Sequence, residues 1–171
     1  MSQSPHAVPT GSTRDVVVSR VLDAAPELAW RAWSDPALLQ QWWGPEGFTC
    51  PRAEVDLRPG GTTFLTMQAP AEWGGASIHT AWHHSAVLEP RRIEFVSTFV
   101  DASGARITPA AAGIPGAVPA EVPHLVDLEP LPDGRTRVTV TESGYTDADT
   151  SEQSRAGQEQ CLDKMQRLFR G

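Results

Sequence analysis

Apolar residues are spaced first as in a strand, then as in a helix, and this alternation occurs once more before the chain ends. Residues 15–22 are rich in β-branched side chains, which predicts a first strand. A helical stripe over 26–33 begins at a proline, and Asp35 is a good N-cap for a second short helix over 36–43. The Gly-Pro pair at 44–45 ends that helix.

Strand-like alternation returns after this pair. The candidate strands are 48–57, 62–68, 77–88, 92–100, 123–129 and 136–143. Short connections rich in glycine and proline separate most of them, which favours antiparallel pairing between neighbours. A parallel sheet is excluded, because it would need helices between its strands.

The last part of the chain carries a loop pattern and a helical pattern. Residues 101–122 hold several prolines and glycines, which predicts a long surface loop that is either a lid or recognition element, or an insertion without a role. Residues 151–170 show one apolar face, so we expect a helix that lies across the sheet. Asp149, Thr150 and Ser151 are its candidate N-caps.

Composition is that of an ordinary globular protein. The 171 residues suit one domain, expected over 14–171, and the Ser-, Pro- and Thr-rich stretch 1–13 is expected to be a flexible tail. A net charge of −7 argues against nucleic acid and against an anionic membrane surface as the partner. Cys50 and Cys161 lack the spacing of a metal site or disulfide framework, so we expect reduced, buried thiols and a cytoplasmic location.

Tryptophan is concentrated just before the strand region. Four of the six tryptophans lie within 30–43, and Trp42 and Trp43 run directly into the Gly-Pro pair. Indole side chains are large and costly to expose, and four in so short a segment exceed what a small core needs. The pattern therefore indicates that two indoles wall a binding pocket at the end of the second helix.

Five segments, taken in order, resemble one family of proteins. They are VSRVLDAAPELAWRAWSDP, LLQQWWGPEGFTCP, VDLRPGG, LEPRRIEFVSTF and EQCLDKMQRLF. The sequence of these segments is similar to that of bacterial proteins named after the activator of the heat-shock protein 90 ATPase, within the START and birch-pollen-allergen (SRPBCC) superfamily. The most specific part is WWGPEGFT followed by DLRPGG, and the resemblance spans 16–169.

The resemblance implies an α+β helix-grip fold, in which a curved antiparallel sheet of six to seven strands wraps around a long C-terminal helix. Two short helices follow strand 1, and a cavity lies between the sheet and the long helix. Residues 14–171 would then form a single START-like ligand-binding domain. Members of the superfamily bind lipids, sterols, hormones and polyketides, some are aromatases or cyclases, and some relatives sequester a toxic natural product.

Three functions stay open on this basis. The first is binding of a hydrophobic or aromatic small molecule, for example a natural product sequestered for self-resistance, by a monomer or homodimer that needs no cofactor. The second is a polyketide cyclase- or aromatase-like enzyme with His124, His83 or a glutamate as acid or base. The third is a co-chaperone-like interaction module. We expect this function least, because the eukaryotic activator carries an additional N-terminal domain and we expect no room for one in this chain.

The ligand-binding candidates are the residues expected to point between the sheet and the long helix. They are Trp42, Trp43, Phe48, Leu65, Met67, His83, Phe95, Phe99, His124, Val126, Gln158, Leu162 and Met165. The aliphatic members are better explained as core filling, whereas the tryptophans and Gln158 suit an apolar pocket with a few polar handles. Relatives often carry tryptophan where this chain has Gln158.

Histidines and acidic residues form no evident catalytic or metal-binding set. His79 and His83 share one strand face but lie roughly 13 Å apart, too far to bind one metal, and His84 points to the opposite face. His124 is expected near the cavity, either as a core group with one hydrogen bond or as an acid or base. Four acidic residues alternate with apolar neighbours and are expected on the solvent face of strands: Glu54, Asp56, Glu94 and Glu142.

Overall fold

The computed structural model describes residues 14–114 and 116–170 and is built on one antiparallel sheet. The strands are β1 (Arg14–Leu22), β2 (Thr49–Glu54), β3 (Thr62–Gln68), β4 (Ser77–Leu88), β5 (Arg92–Val100), β6 (Glu121–Pro130) and β7 (Thr136–Tyr145). The helices are α1 (Pro26–Ser34), α2 (Pro36–Trp42) and α3 (Ala148–Leu168), with a 3₁₀ turn at Ala71–Trp73. The strand order is β1-β7-β6-β5-β4-β3-β2. The helix-grip fold is therefore confirmed with seven strands, whereas the predicted tail, 1–13, lies outside the described residues.

The two short helices begin and end where the sequence predicts. The Asp35 side chain accepts a hydrogen bond from the Ala37 amide at 2.9 Å, and Pro36 occupies the first helical position. After Trp43, whose backbone is extended, Gly44 has a φ of 104°, a left-handed conformation that favours glycine. This turn separates α2 from β2 and leaves the Trp43 indole at the end of the helix.

The long helix begins three residues earlier than predicted. Asp147, rather than Asp149, Thr150 or Ser151, is its N-cap, because the Asp147 carboxylate accepts both the backbone amide and the hydroxyl of Thr150. The three predicted caps lie inside the first turns of the helix. At the other end the helix stops at Leu168, close to the predicted end.

Strand β2 is shorter than predicted because the chain turns away after Glu54. The turn that follows includes the Gly-Gly pair at 60–61 and leads back into β3. A side chain at Gly61 would collide with the Asp56 backbone oxygen, so only glycine fits there. In contrast, β6 begins two residues earlier than predicted, since its ladder with β5 continues as far as Glu121.

The helix α3 is attached to the sheet through β1, an edge strand. Gln166 Nε2 donates to the Val21 carbonyl at 2.9 Å, and Arg155 donates to the Val17 carbonyl at 3.0 Å. These contacts cover backbone groups that an edge strand leaves unpaired. The apolar face of α3 covers the inner face of the sheet, and the main core lies between them.

The loop between β5 and β6 is held by local hydrogen bonds. The Asp101 carboxylate accepts hydrogen bonds from the Ser103 and Ala105 amides, and the Ile107 amide donates to the Phe99 carbonyl at 2.9 Å. Farther along, the Thr108 hydroxyl accepts from the Ala111 amide. Across residues 14–114 and 116–170, no helix combines the length and the apolar character needed to cross a membrane.

Candidate functional site

A cavity of about 340 Å³ lies between the N-terminal half of α3 and the inner face of strands β3 to β7. Its apolar wall is formed by Trp43, Pro45, Met67, Ile78, Phe99, Val122 and Cys161. Two residues of the β5–β6 loop, Ile114 and Val118, complete this wall. The loop therefore contributes side chains to the cavity, as a recognition element would, although its effect on a ligand stays a prediction.

The cavity brings together five of the thirteen predicted ligand-binding residues. These are Trp43, Met67, Phe99, His124 and Gln158. Trp43 follows directly after α2, and the other four come from β3, β5, β6 and α3, one from each element. Whether they contact a ligand stays a prediction, but they occupy the place that such a role requires.

Six other candidates are buried in the core outside the cavity. They are Trp42, Leu65, Phe95, Val126, Leu162 and Met165. Most share a strand or helix face with a cavity residue but lie one or two turns or pairs farther along the element. The core-filling alternative therefore agrees with the positions of these six side chains.

The two adjacent indoles occupy different environments. Trp42 is fully buried, and its Nε1 donates to the Ala32 carbonyl at 2.7 Å while its ring meets Trp33 edge-on at 4.7 Å. Trp43 instead lines the cavity and packs edge-on against Trp82. The expectation that both indoles wall the pocket is therefore wrong for Trp42, because the last turn of α2 directs it into the core.

Phe48 and His83 lie elsewhere on the molecule. Phe48 packs against the exposed Trp73, with ring centroids 5.9 Å apart. His83 is exposed on the outer face of β4, where its Nε2 lies 3.0 Å from the Thr98 hydroxyl. The placement of His83 in the pocket was wrong, because the inner face of β4 is set by Trp82, one residue away in the strand alternation.

The principal residue that the sequence analysis missed is Glu142 on β7. Expected on the solvent face, it is only 5% exposed and lines the cavity. Its Oε1 accepts from the Tyr145 hydroxyl at 3.0 Å and from the Ser154 hydroxyl at 2.6 Å. Its Oε2 accepts from Gln158 Nε2 and lies 3.4 Å from His124 Nε2. We call Glu142 and these four partners the Glu142 cluster.

The sequence did contain a signal for Glu142. Val138 and Val140 are buried on the inner face of β7, and the period of two places Glu142 on the same face. The expected alternation with apolar neighbours fails at Glu142, because Thr141 and Ser143 flank it. A buried carboxylate needs several hydrogen-bond partners, and apart from Tyr145 on the same strand these lie on β6 and α3, outside the strand pattern that the sequence displays.

The Glu142 cluster keeps the carboxylate ionised. Burial by itself raises the pKa of Glu142, but hydrogen bonds from His124, Ser154 and Gln158, together with the charge of His124, outweigh it and lower the pKa below its ordinary value. The pKa of Tyr145 is raised, first by burial and then by the nearby Glu142 charge. The tyrosine therefore stays a neutral hydroxyl beside a charged carboxylate.

His124 is held in one orientation. Its Nδ1 donates to the Val122 carbonyl at 2.8 Å, because a carbonyl oxygen can only accept. The imidazole also stacks on Phe95, with centroids 4.6 Å apart and an interplanar angle of 13°. The other nitrogen, Nε2, faces Glu142 and forms an ion pair with it when the ring is protonated.

The cysteines are free, buried thiols in this fold. Cys161 lines the cavity, and burial raises its pKa to about 12; burial also raises the pKa of Cys50 to about 11. Both are thus protonated and poorly nucleophilic at neutral pH. Within the described ranges 14–114 and 116–170, no group of three or more His, Cys, Asp or Glu side chains is placed to hold a metal ion.

A second buried histidine, His84, makes stability depend on pH. It is 4% exposed, its Nε2 lies 2.8 Å from the Thr63 hydroxyl, and burial lowers its pKa from 6.5 to about 4. Because the folded state favours the neutral ring, this stabilisation is complete above pH 6.5 and is lost as the pH falls towards 4. Over that interval the wild type should lose about 3 kcal/mol more unfolding free energy than His84→Gln.

Urea unfolding of both proteins at pH 7, 6, 5 and 4 measures this difference. His83→Gln is the matched control, because His83 is the adjacent histidine and is exposed. The stability of this variant should follow the wild-type pH dependence. Parallel curves for the wild type and His84→Gln would show that His84 titrates alike in the folded and unfolded chains.

Comparison of the chain with known protein families gives one match over most of its length. The family model described as "Activator of Hsp90 ATPase homolog 1-like protein" matches residues 23–170. The chain belongs to this family. The resemblance read from the sequence is therefore confirmed, and the cavity with its Glu142 cluster is the form that the interior takes in this member of the Hsp90 ATPase activator homologue-like family. No curated protein gives a significant match to the chain.

Solved structures include similar members. A protein from Chromobacterium violaceum is 29% identical, with a TM-score of 0.72, and the match covers 91% of this chain and 96% of that one. The AHSA1 protein from Silicibacter pomeroyi is 25% identical, with a TM-score of 0.70 and the same coverage of 91% and 96%. A protein from Mycobacterium smegmatis, at 22% identity and a TM-score of 0.72 over 99% and 97% of the two chains, shares the fold.

Proposed function

We propose that this protein binds a small, mainly apolar molecule in the cavity beneath α3. The observation that carries the proposal is a cavity of about 340 Å³ with a buried, ionised polar cluster on one wall. Natural cores contain few voids larger than a water molecule, whereas ligand pockets start at about 300 Å³. Apolar walls with a few placed polar groups are typical of such pockets.

The cluster supports binding over acid–base catalysis. Glu142 accepts three hydrogen bonds and faces His124, so its oxygen lone pairs are already engaged. A carboxylate with this many donors is a weak base. The cyclase- or aromatase-like alternative needs a group free to take a proton from substrate, and His83, its other candidate, lies on the outer face of the sheet.

We also propose a compartment and a kind of ligand, and we weigh the co-chaperone-like alternative. Two free, buried thiols support a reducing compartment such as the cytoplasm. Large apolar side chains that are exposed, Val17, Leu28, Trp73 and Leu88, lie on four different elements, which gives little support to a co-chaperone-like docking face. A natural product sequestered for self-resistance is one ligand of suitable chemistry.

Binding is tested with N-phenyl-1-naphthylamine, a neutral aromatic probe that fluoresces in apolar surroundings. We expect saturable, one-to-one enhancement with the wild type. Gly157→Phe should abolish it, because Gly157 lines the cavity and a Cβ there would be 3.9 Å from the nearest atom, Pro45 Cγ, so the phenyl ring fills the cavity. Alanine or larger residues also suit a helix better than glycine, so the variant should stay folded.

Trp73→Ala is the matched control, since Trp73 is 65% exposed and does not line the cavity. Its probe binding should equal that of the wild type. Enhancement that never saturates, or that persists in a folded Gly157→Phe protein, would mean that the probe binds elsewhere, and the proposal would be wrong.

A further inference from the structure

The directions of the hydrogen bonds in the Glu142 cluster show which groups remain for a ligand. The Tyr145 and Ser154 hydroxyls both lie within hydrogen-bond distance of Glu142 Oε1 and are 2.8 Å from each other, so each donates its single proton to Oε1 or to the other hydroxyl. Gln158 donates from Nε2 to Oε2. On the neighbouring turn of α3, the Thr150 hydroxyl donates to Asp147. The hydrogen bonds of these four side chains are therefore directed into the protein and away from the cavity contents.

The same bonds leave acceptors behind. A hydroxyl that donates its proton keeps oxygen lone pairs, so Tyr145 and Ser154 remain acceptors. Gln158 is 6% exposed, and its Oε1 is a buried oxygen without a hydrogen-bond partner among the residues that the structure describes. A buried carbonyl without a donor is costly, and a ligand N–H or O–H would remove that cost.

His124 adds no free hydrogen-bond donor to this wall. The His124 Nδ1 proton is committed to the Val122 carbonyl, and Nε2 faces Glu142. Two buried donors of the lining have no partner among the described residues, the Trp43 indole directly after α2 and the Thr80 hydroxyl on β4, and neither belongs to this wall. The polar wall thus combines acceptor oxygens with a carboxylate.

We infer that the cavity selects a molecule whose polar end is a hydrogen-bond donor, a phenol, alcohol or N–H group, and discriminates against carboxylates. This inference rests on the proposed function and specifies the ligand class of the same site. A donor meets Gln158 Oε1 and the hydroxyl oxygens. An anion meets the Glu142 carboxylate and acceptor oxygens at this wall, and none of the donors of the Glu142 cluster is free to replace the water that the anion loses on entering an apolar cavity.

Three probes of nearly equal size test the inference by isothermal titration calorimetry at pH 7. They are 2-naphthol, which donates; 2-methoxynaphthalene, which only accepts; and 2-naphthoate, which is an anion. We expect 2-naphthol to bind about tenfold more tightly than the ether, the usual effect of one good buried hydrogen bond. 2-Naphthoate should bind more weakly than either.

Two charge-matched variants locate the effect. Glu142→Gln removes the negative charge and replaces one acceptor oxygen with an NH2 donor, so the wall gains donors. The preference for 2-naphthol over the ether should then fall to about threefold or less, and 2-naphthoate should gain affinity. Glu94→Gln makes the same change at a half-exposed carboxylate beside Arg92, and it should keep the wild-type order. If Glu142→Gln is unfolded by circular dichroism, Ser154→Ala replaces it, with a smaller loss of preference expected.

The outcomes separate the two proposals. Binding of all three probes with equal affinity, or tighter binding of the ether or the naphthoate than of 2-naphthol, would overturn the donor preference and leave the binding function intact. A preference that survives in a folded Glu142→Gln protein would also overturn it. No binding of any probe, together with no binding of N-phenyl-1-naphthylamine, would overturn both.

Discussion

Replacing Trp42 with alanine should lower the free energy of unfolding by about 4 kcal/mol, as expected for a fully buried aromatic side chain. The indole is completely buried, packs edge-on against Trp33, and donates a hydrogen bond to the Ala32 carbonyl. Truncation therefore creates a hole between α1 and α2 and leaves a buried carbonyl with one partner fewer. Urea or thermal unfolding followed by circular dichroism measures the loss.

Trp73→Ala provides the comparison, because it removes the same side chain from a site that is 65% exposed. Its unfolding free energy should change by no more than about 0.5 kcal/mol. Equal losses for the two variants would contradict the assignment of Trp42 to the core. Trp42→Phe should have an intermediate effect, since it keeps most of the ring but removes the N–H donor.

The second large effect is expected at Glu142. Glu142→Ala leaves the donors of Tyr145, Ser154 and Gln158 without their common acceptor and His124 without its counter-ion, and should lower the unfolding free energy by about 4 kcal/mol. The matched control, Glu94→Ala, breaks an exposed ion pair with Arg92 and should cost at most about 1 kcal/mol.

A double-mutant cycle with Ser154→Ala distinguishes a loss of the interactions within the Glu142 cluster from a general intolerance of alanine at position 142. The Ser154 and Glu142 oxygens are 2.6 Å apart, so the two losses should be less than additive by about 1 kcal/mol or more. Additive losses would show that the carboxylate and the hydroxyl do not stabilise each other. Denaturant titrations of the four proteins at pH 7 supply the required free energies.

Local sequence patterns were sufficient for most of the secondary structure. The bounds of β3, β4 and β5 agree residue for residue with the alternation of apolar and polar side chains, and Asp35 caps α2 as its type and position predict. These features are decided by contacts within a few residues. The N-cap of α3 was misplaced by two or more positions, because several adjacent residues are chemically able to cap and only the backbone path chooses Asp147.

The candidate site was predicted in part. His124 and Gln158 were placed at the cavity on grounds of strand and helix phase, and both lie there. His83 lies one residue out of phase with the inner face of β4, and Glu142 was expected on the solvent face from an alternation with apolar neighbours. That alternation fails at Glu142, because both of its neighbours are polar and its phase is that of the buried valines on β7.

The sequence by itself determined the family, the order of elements and the existence of an apolar interior, because periodicity, caps and turns are local properties of the chain. Only the tertiary structure decided which indole faces the cavity, which residues of the β5–β6 loop line it, and why a carboxylate is buried there. The physical reason is that Glu142 is stabilised by donors on β6 and α3. Their proximity exists only after the sheet has closed around the helix.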